Sequence, residues 1–199
     1  MGFKVLVVFS TQMEAEKSLE ALHCKTIEEG RLYQFKQGHL VISGWGILNA
    51  CGAVFEYAHL ANEVWNFGIC GSLQDDHQID QLFPVKSATK YLSFQTKDAH
   101  SIKIAEGLFP PIELASEGGR LITSDYPIHD TKLKRQMCTA HDLVDMEGYG
   151  IAFAAKQAKK HCRMWKFVSD FCSEGGQHLI KQSMKELSQK TADVLIGLL

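Results

Sequence analysis

The sequence predicts an α/β fold, a three-layer αβα sandwich around a mixed central sheet. Three observations predict it. Valine- and isoleucine-rich runs alternate along the chain with stretches of helical spacing. The first such run is apolar without a break, as in a strand covered on both faces. Hairpin-type punctuation near the N-terminus adds antiparallel pairs to an otherwise parallel pattern.

The elements follow in order. Lys4 to Phe9 reads as the buried first strand, and Met13 to Leu22 as a helix with Met13, Leu19 and Leu22 on its apolar side. Arg31 to Ser43 holds two short strands broken at Gln37-Gly38, and Gly44-Trp45-Gly46 leads into a helix from Ile47 to Leu60. Val64 to Ile69 is a strand that ends in a turn of small residues, Gly68 to Ser72. Leu82 to Tyr91, Ile112 to Ala115 and Arg120 to Ser124 are strand-like, and the segment from Ser93 to the Pro110-Pro111 pair reads as loop with a short helix. His129 to Cys138 is a helix, Leu143 to Met146 a strand, Gly148 to Lys159 a helix, Met164 to Ser169 a strand and Gln177 to Leu198 a long closing helix. No linker or repeat divides the chain, so residues 1–199 are expected to form a single domain.

Composition narrows the function. A net charge of −2, with no run of lysine and arginine among aromatics, disfavours nucleic-acid binding. No apolar stretch approaches the roughly 20 residues needed to span a bilayer, and no leader pattern opens the chain, so a soluble cytoplasmic protein without a membrane partner is expected. Six cysteines lie at least ten positions apart and nine histidines are dispersed, a pattern that predicts free thiols and no metal site.

In such folds the reactive groups stand where strands end. Glu14 and Glu16 follow the first strand, Glu147 follows Val144-Asp145-Met146, and Asp170 follows Phe167-Val168-Ser169. Each has a structural explanation, because carboxylates favour the first turn of a helix and Asp favours turns. Their combination is the signal: two separated carboxylates can supply a proton on one side of a bond and an oriented nucleophile on the other.

The segments SGWGILNACGAV (Ser43 to Val54), NFGICGSL (Asn66 to Leu73), VDMEGYGIA (Val144 to Ala152) and FVSD (Phe167 to Asp170) occur in a telling order and spacing. The chain resembles the nucleoside phosphorylase superfamily, and within it the methylthioadenosine/S-adenosylhomocysteine nucleosidases and futalosine hydrolases. The resemblance runs from residue 3 to about residue 190. It implies that Asp170 protonates the leaving purine, that Ser169 orients Asp170, that Glu147 bonds the ribose hydroxyls with Met146 against the sugar, and that Glu16 positions the attacking water. It also implies Tyr126 as the stack on the base, Ile128 as a backbone contact to it, and the Ile69–Gly71 turn beside it. Phe167, Val168 and Phe171 are expected to keep the surroundings of Asp170 apolar.

By the same resemblance the partner is a small-molecule purine nucleoside with a 5′-substituent, no cofactor is needed, and the protein is a homodimer whose Tyr91 to Pro111 stretch helps cover the pocket. Phosphorylases of the superfamily carry a phosphate-gripping arginine where this chain has Asn66, so water is the expected nucleophile. Arg31, Arg120, Arg135 and Arg163 are the other guanidinium groups that could reach in. Ile69 and Cys70 in the turn, a short Thr123 to Ile128 segment and the compact length favour the futalosine side of the resemblance.

Overall fold

The computed structural model describes residues 2–93, 107–173 and 176–199. Its first strand, β1 (Val5–Phe9), is buried at every position. Leu6 and Val8 enter one core together with Val64, Ala50, Val54 and Ile151, while Val5, Val7 and Phe9 enter another with Ala15, Trp65, Phe67 and Leu195. An unbroken apolar run is what a central strand with helices on both sides requires.

Helix α1 (Gln12–Ala21) follows at once, and β2 (Lys25–Glu28), β3 (Leu32–Phe35) and β4 (Gly38–Ile42) form an antiparallel meander whose last strand pairs parallel to β1. Helix α2 (Ile47–Tyr57) leads to β5 (Glu63–Ser72) and, past the 72–82 loop, to β6 (Leu82–Lys90). The second half contains β7 (Ile112–Glu113), β8 (Gly119–Thr123), α3 (Thr131–Met137), β9 (Leu143–Asp145), α4 (Gly148–Gln157), β10 (His161–Asp170) and α5 (Gly176–Leu198). Helices α2 and α4 pack on one face of the sheet and α1 and α5 on the other, which gives the three layers expected.

The sheet is mixed, and part of it closes on itself. Strand order runs β10-β6-β8-β9-β5-β1-β4-β3-β2, and β10 also pairs with β5, so β5, β10, β6, β8 and β9 make a ring. The ring explains one departure from the sequence reading. The small-residue segment Gly68 to Ser72 is strand, not turn: β5 runs beside β1 as far as Asn66, stays beside β10 to Gly71, and meets β9 at Gly71 and Ser72. Gly71 is needed at that crossing, since a Cβ there would stand 2.4 Å from the Cys172 sulfur.

Two further expectations shift. The edge strand β2 is exposed throughout and lacks the apolar alternation that marks a strand. Met13, expected on the apolar side of α1, is exposed, and Ala15 and Ser18 take the buried side. The expected loop from Ser93 to Pro111 lies outside the described residues between 94 and 106.

Candidate active site

The ends of β1, β5, β9 and β10 bring the candidate carboxylates together. Helix α1 starts with a capping box: Thr11 Oγ1 accepts from the Glu14 N–H, and Glu14 Oε2 accepts from the Thr11 N–H at 2.9 Å. Thr11 Oγ1 and Ser10 Oγ also donate to Oε2. The other oxygen, Oε1, accepts from the Ile69 N–H at 3.2 Å and lies 3.1 Å from where a Cβ of residue 68 would stand. Glu14 is buried at this spot, whereas Glu16 is exposed on the outer side of α1. The geometry therefore replaces Glu16 with Glu14 as the carboxylate in the site. The reason is helical: a residue at the third helical position can reach back over the N-terminus, and one two positions later projects about 200° around the axis.

Beside the same point of Gly68 lies a lysine that the sequence reading did not single out. Lys166 Nζ is 3.4 Å from the same vacant Cβ position, buried, and paired with Asp145 Oδ2 at 2.8 Å. Asp145 is fully engaged. Its Oδ1 accepts from Thr123 Oγ1 at 2.7 Å and its Oδ2 from the Gly148 N–H at 2.8 Å, which ties the start of α4 to β8. Burial pulls the lysine toward the neutral form, but Asp145, with Glu147 and Glu14 behind it, outweighs burial and holds the ammonium above its ordinary pKa.

Glu147 stands between β9 and α4. It is buried, and its Oε1 accepts from the Gly46 N–H at 2.7 Å, at the start of α2. Burial, reinforced by Asp145, pushes its carboxyl up to about 7 against the opposing pull of the Gly46 N–H and Lys166. Gly44 and Gly46 both adopt left-handed φ values, +85° and +90°, which bend the chain so that this N–H points at the carboxylate. Met146, next in the chain, is half-buried.

Asp170 closes β10. It is buried, with Oδ1 accepting from Ser169 Oγ at 3.0 Å and Oδ2 from the Cys172 N–H at 2.9 Å; Ser169 Oγ also lies 3.1 Å from the Cys70 carbonyl. The Cβ that Gly71 lacks would stand 3.5 Å from Oδ1, in the place that the Cys172 sulfur takes. Phe167 and Val168 are buried on the same strand, whereas Phe171 is half-buried. Cys172 flanks the carboxyl with its thiol pushed up to about 12 by burial, so it is an apolar wall and not a nucleophile.

Gly68 and Gly71 are three residues apart on one strand, ~10 Å. The arrangement can hold a proton donor at one end and a water-binding carboxylate beside a fixed cation at the other.

The remaining expected residues are more scattered. Tyr126 is 46% exposed and meets Tyr91 edge to face. The Ile128 side chain is core, packed with Leu73, Ile122, Met137, Val144 and Cys172. Ile69 contributes its backbone to Glu14. Asn66 is plugged into the sheet by bonds to the Val8 and Phe67 carbonyls. Three of the four other arginines are engaged elsewhere: Arg31 with Glu56, Arg120 with Asp142, and Arg163 over Trp65 and Trp165. Arg135 is exposed on α3.

The sequence profile of the Phosphorylase superfamily matches residues 98–199, just over half of the chain. The chain belongs to this superfamily. No curated protein matches it significantly in sequence. Superfamily members of known structure share its fold. An Asp-to-Asn mutant of Helicobacter pylori methylthioadenosine/S-adenosylhomocysteine nucleosidase, with 5′-methylthioadenosine in its active site, aligns over 99% of this chain and 98% of its own at 17% identity and TM-score 0.85. The native futalosine hydrolase of H. pylori aligns over 97% of this chain and 95% of its own at 17% identity and TM-score 0.84. A Chlamydia trachomatis nucleosidase of the first kind, also an Asp-to-Asn mutant, aligns over 99% and 97% at 20% identity and TM-score 0.81.

Two signals in the sequence could have located the missed residues. Thr11-Gln12-Met13-Glu14 is a capping-box spacing, which turns Glu14 and not Glu16 toward the strand ends. Lys166 interrupts an apolar strand, and a buried lysine demands a carboxylate partner, which Asp145 in Val-Asp-Met-Glu supplies.

Proposed function

We propose that this superfamily member, acting as one domain over residues 1–199, is a nucleosidase that hydrolyses the N-ribosidic bond of a 5′-substituted, adenosine-type nucleoside. The observation that carries the reading is that Glu14 and Lys166 meet at Gly68 and Asp170 stands beside Gly71 of the same strand, with the buried Glu147 feeling the charges of both Glu14 and Lys166.

Asp170 donates its proton to N7 of the purine, which lets the bond between the base and C1′ break with its electron pair leaving on the base. Ser169 holds Asp170 in place. Glu147 accepts from the ribose hydroxyls and faces the positive charge that builds on the sugar, with Met146 against the ring. Glu14 orients a water toward C1′ and takes its proton, so that free base and ribose are the products. Tyr126 and the Ile128 backbone complete the base pocket, with Ile69 and Gly71 lining its strand side.

Water is favoured over phosphate by charge. Lys166 is the cation of the site, but Asp145 neutralises it and Glu14 and Glu147 stand close by, so an incoming dianion meets net negative surroundings. Asn66, at the position of the phosphorylase arginine, offers no charge at all.

For the 5′-group, Ile69 and Cys70 together with the short 123–128 segment support an aminodeoxyfutalosine or futalosine substrate, which would give the enzyme a place in menaquinone synthesis. We assign it to the cytoplasm, consistent with the absence of any helix among the described residues long and apolar enough to cross a membrane. A second copy is proposed to cover the exposed Leu48 and Phe55 of α2 together with Trp45 just before that helix, which are 86%, 50% and 73% exposed. A monomeric mass by light scattering would remove the homodimer.

The deciding assay offers aminodeoxyfutalosine, methylthioadenosine and S-adenosylhomocysteine side by side, with and without phosphate, and follows adenine. Adenine release without phosphate is expected, fastest from aminodeoxyfutalosine. Strict phosphate dependence, or no release from any of the three, would end the hydrolase reading.

A further inference from the structure

Helix α5 reaches the Glu14 segment of α1. It begins six residues after Asp170, and at its middle it presents Ser188, which is buried against α1. Ser188 Oγ donates to the backbone carbonyl of Glu14 at 3.0 Å and accepts the Lys17 N–H at 3.2 Å. Around it, Ala15 of α1 packs in one core with Leu195 of α5, flanked by the partly buried Leu19, Leu22 and Val194. Apolar packing of this kind is non-directional, so the two bonds of Ser188 supply the directed tie between the helices.

The capping box fixes the Glu14 carboxylate relative to its own helix end. It does not fix that helix relative to the sheet. Among the described residues, the direct bond from the carboxylate to the sheet is the one from Ile69, at 3.2 Å and therefore near the long end of the range. A hydroxyl that grips the α1 backbone at Glu14 itself sets the height of the helix above β5.

We propose that Ser188 is a positioning residue for the nucleosidase reaction, holding α1 in the register at which Glu14 meets the water. The proposal rests on the nucleosidase reading. By this account α5 holds the Glu14 segment of α1 through the Ser188 hydroxyl. Catalytic groups tolerate only about 0.5 Å of misplacement, so loss of this tie acts on turnover before it acts on folding.

The test measures hydrolysis by wild type, Ser188→Ala, Ser188→Cys and Thr191→Val, the last removing a buried hydroxyl from the same face of α5. Ser188→Ala and Ser188→Cys are expected to lower kcat about tenfold with KM within about twofold, and Thr191→Val to leave both near wild type. In a Glu14→Gln background Ser188→Ala should add no further loss, because its effect passes through Glu14. Wild-type kcat in the Ser188 variants, or the same loss with Gln at position 14, overturns the proposal while leaving the nucleosidase reading intact. If Ser188→Ala does not fold, Ser188→Cys, which keeps the side-chain size, decides on the same readouts. A wild-type protein that releases no base overturns both.

Discussion

Asp170 and Glu14 are both buried carboxylates at strand ends, yet their surroundings differ. Asp170 accepts from one hydroxyl and one backbone N–H, and is walled by Cys172, whose sulfur fills the place that a side chain at residue 71 would take. Glu14 is held by three donors on one oxygen and one on the other, beside a buried ion pair and a second carboxylate. The contrast teaches a division of labour. Under the proposed reaction, the group that hands over a proton is held by two donors, and the group that orients the water and then takes its proton is held by four.

The largest expected effect tests that division directly. Asp170→Asn and Glu14→Gln should each lose on the order of 10² to 10⁴ in kcat with the fold retained, while Glu16→Gln stays within about twofold. Steady-state kinetics on the three variants checks it, and a Glu16 variant as damaged as the Glu14 variant would return the role to Glu16. Next in size is the ion pair. Lys166→Met leaves Asp145 buried without its cation and should cost about 3–5 kcal/mol of stability by denaturant unfolding. A loss under about 1 kcal/mol would mean that Asp145 does not depend on the lysine.

The smallest effect is the most specific. Glu147 carries its proton up to about 7 in the folded chain and only to the ordinary carboxyl range when unfolded. The folded chain therefore binds the extra proton in between, and this group's contribution to stability is full at acid pH and is lost as pH rises through about 7. Its charged form is the one that accepts ribose hydroxyls, so KM should fall as pH rises over the same interval. Glu147→Gln should flatten both trends, and an unchanged pH dependence of KM would break the link.

Much of the fold was legible because the physical cause lay in local sequence. Buried runs such as Val5–Phe9 and spaced apolar residues such as those of α2 name their elements without help from the rest of the chain. What escaped was set by partners far away. The Gly68–Ser72 segment reads as a turn until β9 and β10 are laid against it, and β2 has no pattern of its own because an exposed edge strand needs none. The site follows the same rule. Asp170 and Glu147 are carried by short motifs, whereas Lys166 gains its meaning from Asp145, 21 positions earlier, and Glu14 is distinguished from Glu16 by a helix end that only the capping spacing reveals.

The ring formed by β5, β10, β6, β8 and β9 carries a mechanical consequence. Strands whose flanks are already occupied by one another cannot spread to admit a guest without breaking several backbone bonds at once. Under the proposed reading, making room for a substrate therefore falls to segments outside the ring, such as the glycine-hinged 43–46 bend that bonds Glu147 and the 124–130 loop that follows β8.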